Sequence, residues 1–258
     1  MSKELNKEDL IQHKKRSIRS LNGLLESLIN SGKNEHLKKA DLLSYWLESF
    51  SRYIKYEDTF SPQKLLSYKR GDIIRINLGF RVGAELGGLH YAVVLDKNNK
   101  HNSNTVTIVP LSSLKKHPEE IHERDLFLGS ELYNLVSAKY EHQLSKIKEK
   151  MDETNFIIGL FESLPEENRS SKINEALELL QAQRNDLSDD LNALKKDERE
   201  INRMKEGSIA KIEQLTTISK MRIYVPKKST DFLAGIRFSQ NAMSRINAKI
   251  KELYIFDE

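Results

Sequence analysis

The chain has 258 residues, a formal net charge of +4, 38% hydrophobic and 31% charged residues, and no cysteine. That length supplies one large core or two modest ones. The missing thiol excludes disulfides, cysteine nucleophiles and thiolate metal sites, and no apolar run reaches the roughly 18 residues of a membrane span.

Residues 1–66 read as helices. In "KEDLIQHKKRSIRSLNGLLESLINSG", Leu10, Ile11, Ile18, Leu21, Leu24, Leu25 and Leu28 fall roughly on one face, and Gly32 is the stop. "HLKKADLLSYWLESFSRYIKY" predicts a second helix carrying Leu42, Leu43, Trp46, Leu47 and Phe50, punctuated by Pro62. From Lys69 the texture turns to short β-rich runs. "DIIRINL" alternates Ile74, Ile76 and Leu78; "LHYAVVLD" and "NTVTIVPLSS" follow, split by the turn-rich "KNNKHNSN"; "IHERDLFL" is a weaker strand. Between the first two strands lies "GFRVGAELGG", with Gly83, Gly87 and Gly88. Glycine lets such a loop take positive φ and approach another backbone closely.

Residues 130–206 switch to a helical hairpin. In its second arm Ile173, Leu177, Leu180, Arg184, Leu187, Leu191, Leu194, Glu198 and Ile201 keep a 4-3 spacing, a heptad seam with two charged interruptions. The first arm offers Leu132, Leu135, Val136, Leu144, Ile147, Met151, Ile158 and Phe161, and "LPEENRSS" joins the arms. Each arm of roughly 33 residues spans about 50 Å. Residues 129–207 carry 17 acidic against 12 basic residues, whereas every other stretch is net basic. The hairpin therefore reads as a separate element, and the remainder as a surface suited to a polyanion. The β texture returns in "SIAKIEQLTTISKMRIYV". A final helix is expected in "STDFLAGIRFSQNAMSRINAKIKELYIF", capped by Ser229 or Thr230, with Ile236, Met243, Ile246 and Ile250 as its buried stripe.

Three segments carry a family resemblance. "KRGDIIRINLGFRVGAELGGLHYAVVL" resembles the opening of the MazF/PemK family of toxin endoribonucleases, with its basic-Arg-Gly-Asp strand, Gly-x-Glu-x-Gly-Gly loop and apolar second strand. "SNTVTIVPLSS" is similar to the family's third strand, and "SIAKIEQLTTISKMRI" to a later one; together they cover about 110 residues. The resemblance implies a small curved antiparallel β-barrel, SH3-like or CcdB-type. The long antiparallel coiled-coil hairpin that interrupts it and the helices that precede it are additions outside the resemblance, and the whole is expected to be an α+β fold. The expected domains are residues 1–66 (N-terminal helices), 67–129 with 207–258 (barrel) and 130–206 (inserted hairpin).

It also implies cleavage of single-stranded RNA without metal or other cofactor, leaving 2′,3′-cyclic phosphate and 5′-hydroxyl ends. That reaction needs a base for the ribose 2′-proton, a cation or donor for the phosphorane and an acid for the leaving 5′-oxygen. At the position of the family's arginine stands His90, and at that of its threonine Ser112 (or Ser113); Tyr91 replaces a proline. A guanidinium is a fixed cation, whereas imidazole moves protons near neutral pH. The expected catalytic set is His90 as base or acid, Ser112 as donor and Arg81 as the stabilising cation. Glu85, Gly87, Gly88, Lys97, Lys100, His101, Lys115, Thr217 and Arg222 are the expected RNA contacts, with Lys116 and Lys220 in the same basic face.

Bland readings accompany these. Glycine loops usually make hairpin turns, His101 suits an exposed loop, Glu85 suits a pairing that shapes its own loop, and Thr217 needs no reason beyond β-propensity. The partners implied are single-stranded RNA, a second copy in a homodimer and an antitoxin; the N-terminus "MSKELNKEDLIQHKK" lacks a signal peptide's apolar core, so a cytoplasmic protein without membrane attachment is expected. The competing function is a non-catalytic RNA- or protein-binding module on the same barrel, and a gyrase-poison role ranks third.

Overall fold

The computed structural model describes residues 6–114 and 121–255. Two units emerge, Met1–Phe60 with Leu78–Gly88, and Ser61–Asn77 with Leu89–Glu258. The first thus gathers the N-terminal helices with the glycine-studded loop, and the second holds the sheet and the remaining helices.

In the first unit α1 (Lys7–Asn30) begins at Asn6, whose side-chain oxygen accepts the Glu8 amide at 3.0 Å. Gly32, at φ +68°, reverses the chain into α2 (Asn34–Glu57), which packs on α1. No residue of α1 is fully buried, and Leu10, Ile18, Leu24, Leu42, Phe50 and Ile54 remain about half exposed. Trp46 of α2 stacks near Phe50 and Tyr53, with centroids 5.8 and 6.2 Å away. The 78–88 loop closes on itself, the Leu78 amide donating to the Gly88 carbonyl (2.7 Å) and the Gly88 amide to the Gly79 carbonyl (2.8 Å). Gly79 sits at φ +74°, and a Cβ there would come within 2.7 Å of the Trp46 indole. Both the backbone and the space demand glycine.

In the second unit β1 (Ile73–Asn77), β2 (Leu89–Val94), β3 (Thr105–Ser113), β4 (Leu126–Gly129), β5 (Ser208–Ala210), β6 (Thr216–Ser219) and β7 (Ile223–Val225) form one antiparallel sheet. Its path runs β4-β5-β3-β2-β1-β7, and β6 pairs with β3 off that path. The nine-residue β3 serves two partners: Thr105–Ile108 face β6, and Leu111–Ser113 face β5. The sequence reading expects a closed barrel, but among the described residues β4 and β7 end the path and the sheet stays open. One face, with Ile73, Val93, Val109 and Leu111, packs into a core completed by Leu132, Val136, Ile201, Leu233 and Ile246.

The "KRGD" motif is spent on this architecture. Gly71, at φ +86°, donates its amide to the Val94 carbonyl and accepts the Phe238 amide, and a Cβ there would meet the Arg237 side chain at 3.0 Å. Asp72 accepts the Lys69 amide (2.7 Å) and takes Arg237 through Nε (2.7 Å) and Nη2 (2.6 Å). Arg70 donates to the Leu95 carbonyl and to Asn247. These bonds tie the start of β1 to the C-terminal segment.

The helices α3 (Glu131–Glu162) and α4 (Ser171–Arg203) pack on each other. Leu177, Leu187, Leu194 and Ile201 are buried on α4, and Leu132, Val136, Thr154 and Ile158 on α3. Lys139 fixes α3 to the 231–234 segment, its ammonium donating to the carbonyls of Asp231 (3.3 Å), Phe232 (3.1 Å) and Ala234 (2.8 Å). Burial holds that ammonium below the ordinary lysine value and the nearby Asp197 carboxyl above the usual carboxylate range.

The last helix starts later than its sequence suggests. α5 (Gln240–Tyr254) is capped by Ser239, whose hydroxyl accepts the Ala242 amide at 3.2 Å, and neither Ser229 nor Thr230 caps it. Asp231 instead accepts the Lys227 and Lys228 amides, and Gly235 turns the chain at φ +76°. Among the described residues no helix is long and apolar enough to cross a membrane.

Candidate active site

Register decides which sequence-selected residues meet. His90 lies near the start of β2, opposite Ile76 of β1. Tyr91 pairs with Leu111 of β3, where that ladder ends; His90 precedes Tyr91 and Ser112 follows Leu111. The imidazole is half-buried, and its Nδ1 lies 3.2 Å from the Leu111 carbonyl oxygen. A carbonyl only accepts, so Nδ1 carries the proton in this bond and Nε2 is the basic nitrogen of the neutral ring. Ser112 is half-buried and pairs with Ile209 of β5, while its neighbour Ser113 is exposed. Arg222 belongs to the same end of the sheet: its Nε donates to the carbonyl of Asn77 (2.8 Å), and Asn77 pairs with Leu89.

The remaining expected contacts lie elsewhere in this unit. His90 and Val94 are already about 13 Å apart along β2, and Lys97, Lys100 and His101 lie beyond Val94 in the loop to β3, all three exposed. His101 donates from Nε2 to the Leu65 carbonyl at 2.7 Å. Thr217 pairs with Thr107, their hydroxyls 3.1 Å apart. Thr107 and Ser112 are separated by about 17 Å of strand. The expected basic face is thus divided between two ends. Lys220 leaves it altogether: its side chain is fully buried, donates to the Lys100 carbonyl at 3.1 Å and sits over the Tyr68 ring at 5.8 Å. Burial lowers its ammonium from the ordinary lysine value. Lys115 and Lys116 lie outside the described residues.

The glycine loop belongs to the first unit. Arg81 donates from Nε to the Leu78 carbonyl at 3.1 Å and pairs with Glu85 at 3.6 Å, so Glu85 shapes its own loop. Gly83 and Gly88 take positive φ (+63° and +85°). Gly87 does not; it is glycine for want of space, because a Cβ would lie 2.8 Å from the Gly79 carbonyl oxygen.

Sequence reasoning missed a cluster one residue along from His90. Arg75 of β1 pairs across the ladder with Tyr91, and its guanidinium lies 5.7 Å from both the Tyr91 and Tyr224 ring centroids. Glu200 of α4 closes the arrangement at 2.5 Å from Arg75 Nη1, with Arg203 3.5 Å from its other oxygen. Burial raises the Tyr91 phenol above its ordinary value although Arg75 pulls the other way, so the ring stays neutral at physiological pH. The available signal was an arginine inside an apolar strand and a tyrosine in the strand it pairs with. Among the described residues no three His, Asp or Glu side chains gather as metal ligands.

Residues 69–148 match the family described as PemK-like, MazF-like toxin of type II toxin–antitoxin systems. The match spans β1 to β4 and the first half of α3, so this segment is similar to MazF/PemK-like toxins. It leaves out β5 to β7. No curated protein matches the chain.

Proposed function

We propose that this chain, through its MazF/PemK-like domain, is a toxin-like endoribonuclease that cuts single-stranded RNA without a metal. The observation that carries the reading is the bond of His90 to the Leu111 carbonyl, the residue before Ser112, inside the segment that matches the family. His90 Nε2 takes the proton of a ribose 2′-hydroxyl, and the 2′-oxygen attacks the adjacent phosphorus. The Ser112 hydroxyl donates to the phosphorane oxygen, and Arg222 supplies positive charge at the same end. The P–O5′ bond breaks, the imidazolium returns its proton to the leaving 5′-oxygen, and the products are a 2′,3′-cyclic phosphate and a 5′-hydroxyl. On this reading the open sheet is a variant of the family's curved barrel, the α3–α4 pair is an inserted coiled-coil hairpin, and the protein acts as a cytoplasmic homodimer restrained by an antitoxin. The loop cation Arg81 is tested separately, by Arg81→Ala.

The second reading, a non-catalytic binding module, is favoured by one feature: His90 stands where the family has a fixed cation. Incubation with single-stranded RNA in EDTA, followed by analysis of the ends, separates the two. Cyclic-phosphate ends support the nuclease; intact RNA bound by the protein supports the module.

A further inference from the structure

The Arg75 cluster has a composition that its neighbours do not require. A partly buried guanidinium lies between two tyrosine rings, one of which, Tyr224, is 58% exposed. Side chains that serve only to join α4 to the sheet need no such aromatic pair. The anion that neutralises Arg75 comes from the acidic α4, 125 residues away in sequence, and is shared with Arg203. Arginine binds phosphate as it binds carboxylate, through parallel N–H donors, and exposed tyrosine is a stacking surface for any base.

We propose that Arg75, Tyr91 and Tyr224 form a nucleotide-binding clamp for single-stranded RNA, and that Glu200 occupies its phosphate position and keeps it closed. Arg75 takes a phosphodiester oxygen in place of the Glu200 carboxylate, and Tyr224 stacks an adjacent base. The clamp is next to His90 along β2, and alternation sends the two side chains to opposite faces. RNA that reaches both therefore bends round the end of the sheet. The displaced Glu200 keeps Arg203 as its partner, which lowers the cost of opening. The RNA assignment rests on the proposed function above; an acidic peptide satisfies Arg75 equally but gives Tyr224 nothing to stack.

The test uses the full-length chain, a short 5′-fluorescein single-stranded RNA and fluorescence anisotropy in EDTA. Glu200→Gln removes the competing charge and is expected to tighten RNA binding about tenfold, the scale of one charge-assisted hydrogen bond. Adding Tyr224→Ala, at an exposed position that folding tolerates, is expected to reverse most of that gain. Unchanged binding in Glu200→Gln, or a gain that survives Tyr224→Ala, overturns the clamp, as does poly-glutamate bound as tightly as RNA. The same samples are scored for cleavage. Cleavage that depends on His90 while neither clamp variant alters binding leaves the nuclease standing and removes the clamp. A binding gain that depends on Tyr224, with no cleavage by any variant, leaves the clamp and removes the nuclease.

Discussion

His90 and His101 are eleven positions apart, and both point a ring nitrogen at a backbone carbonyl, yet one lies near the start of β2 and the other in the loop that follows it. His90 is half-buried, next to the end of the β2–β3 ladder, and bonded through Nδ1 to Leu111, the residue before Ser112. His101 is exposed, bonded through Nε2 to Leu65 and accompanied by Lys97 and Lys100. The far end has more lysine. The near end has an imidazole bonded to the Leu111 carbonyl, the Ser112 hydroxyl on the next residue, and Arg222 bonded to the carbonyl of Asn77, which pairs with Leu89. Charge density attracts a polyanion. Bond cleavage needs a positioned proton acceptor beside a donor, and the half-buried His90 has Leu111 and its neighbour Ser112 beside it, whereas His101 is exposed in a loop.

The largest effect expected of that contrast is at His90. Replacing it with alanine should lower RNA cleavage by about 10²–10⁴-fold, the usual contribution of general acid–base catalysis, while RNA binding changes little. Ser112→Ala should cost about tenfold to a hundredfold, at or below the scale of a lost oxyanion donor, and the exposed Ser113→Ala should cost nothing measurable; initial rates on one RNA substrate compare the pair. The glycine loop sharpens the picture through stability. Gly79→Ala forces a Cβ to 2.7 Å from the Trp46 indole at positive φ. It should destabilise the first unit by about 2–4 kcal/mol, read from urea unfolding by the fluorescence of Trp46, the only tryptophan. Gly83→Ala meets open space and should cost only the backbone strain of about 1–2 kcal/mol. Asp72→Asn, which weakens the half-exposed pair with Arg237, should cost about 1 kcal/mol and leave the cleavage rate per folded molecule unchanged. That outcome would mark the "KRGD" motif as a signature of fold rather than of chemistry.

Much of the fold was legible because local patterns and tertiary demands agree. The alternation of Ile74 and Ile76, the turn-rich stretch before β3 and the apolar spacing of α4 all appear in the elements that form. Where they disagree, long-range partners decide. A Ser-Thr pair at 229–230 looks like a helix cap, but Asp231 and Gly235 bend the chain and Ser239 takes the role. Lys220 looks solvated until Lys100 and Tyr68, more than a hundred residues earlier, enclose it. His90 and Ser112 were visible as two residue types at two strand ends, and the bond of His90 to the Leu111 carbonyl, one residue before Ser112, was not. Strand register separated them from the lysines that sequence proximity had grouped with them. Arg75 and Glu200 stayed hidden because 125 residues lie between them.

The most direct measurement places His90→Ala and His101→Ala beside the wild type on one single-stranded RNA in EDTA, scoring 2′,3′-cyclic phosphate ends. The account predicts that the first substitution abolishes those ends and the second leaves their rate within about twofold, as befits a loop residue outside the proton-transfer step. Equal losses from both, or cleavage that persists without His90, would contradict it.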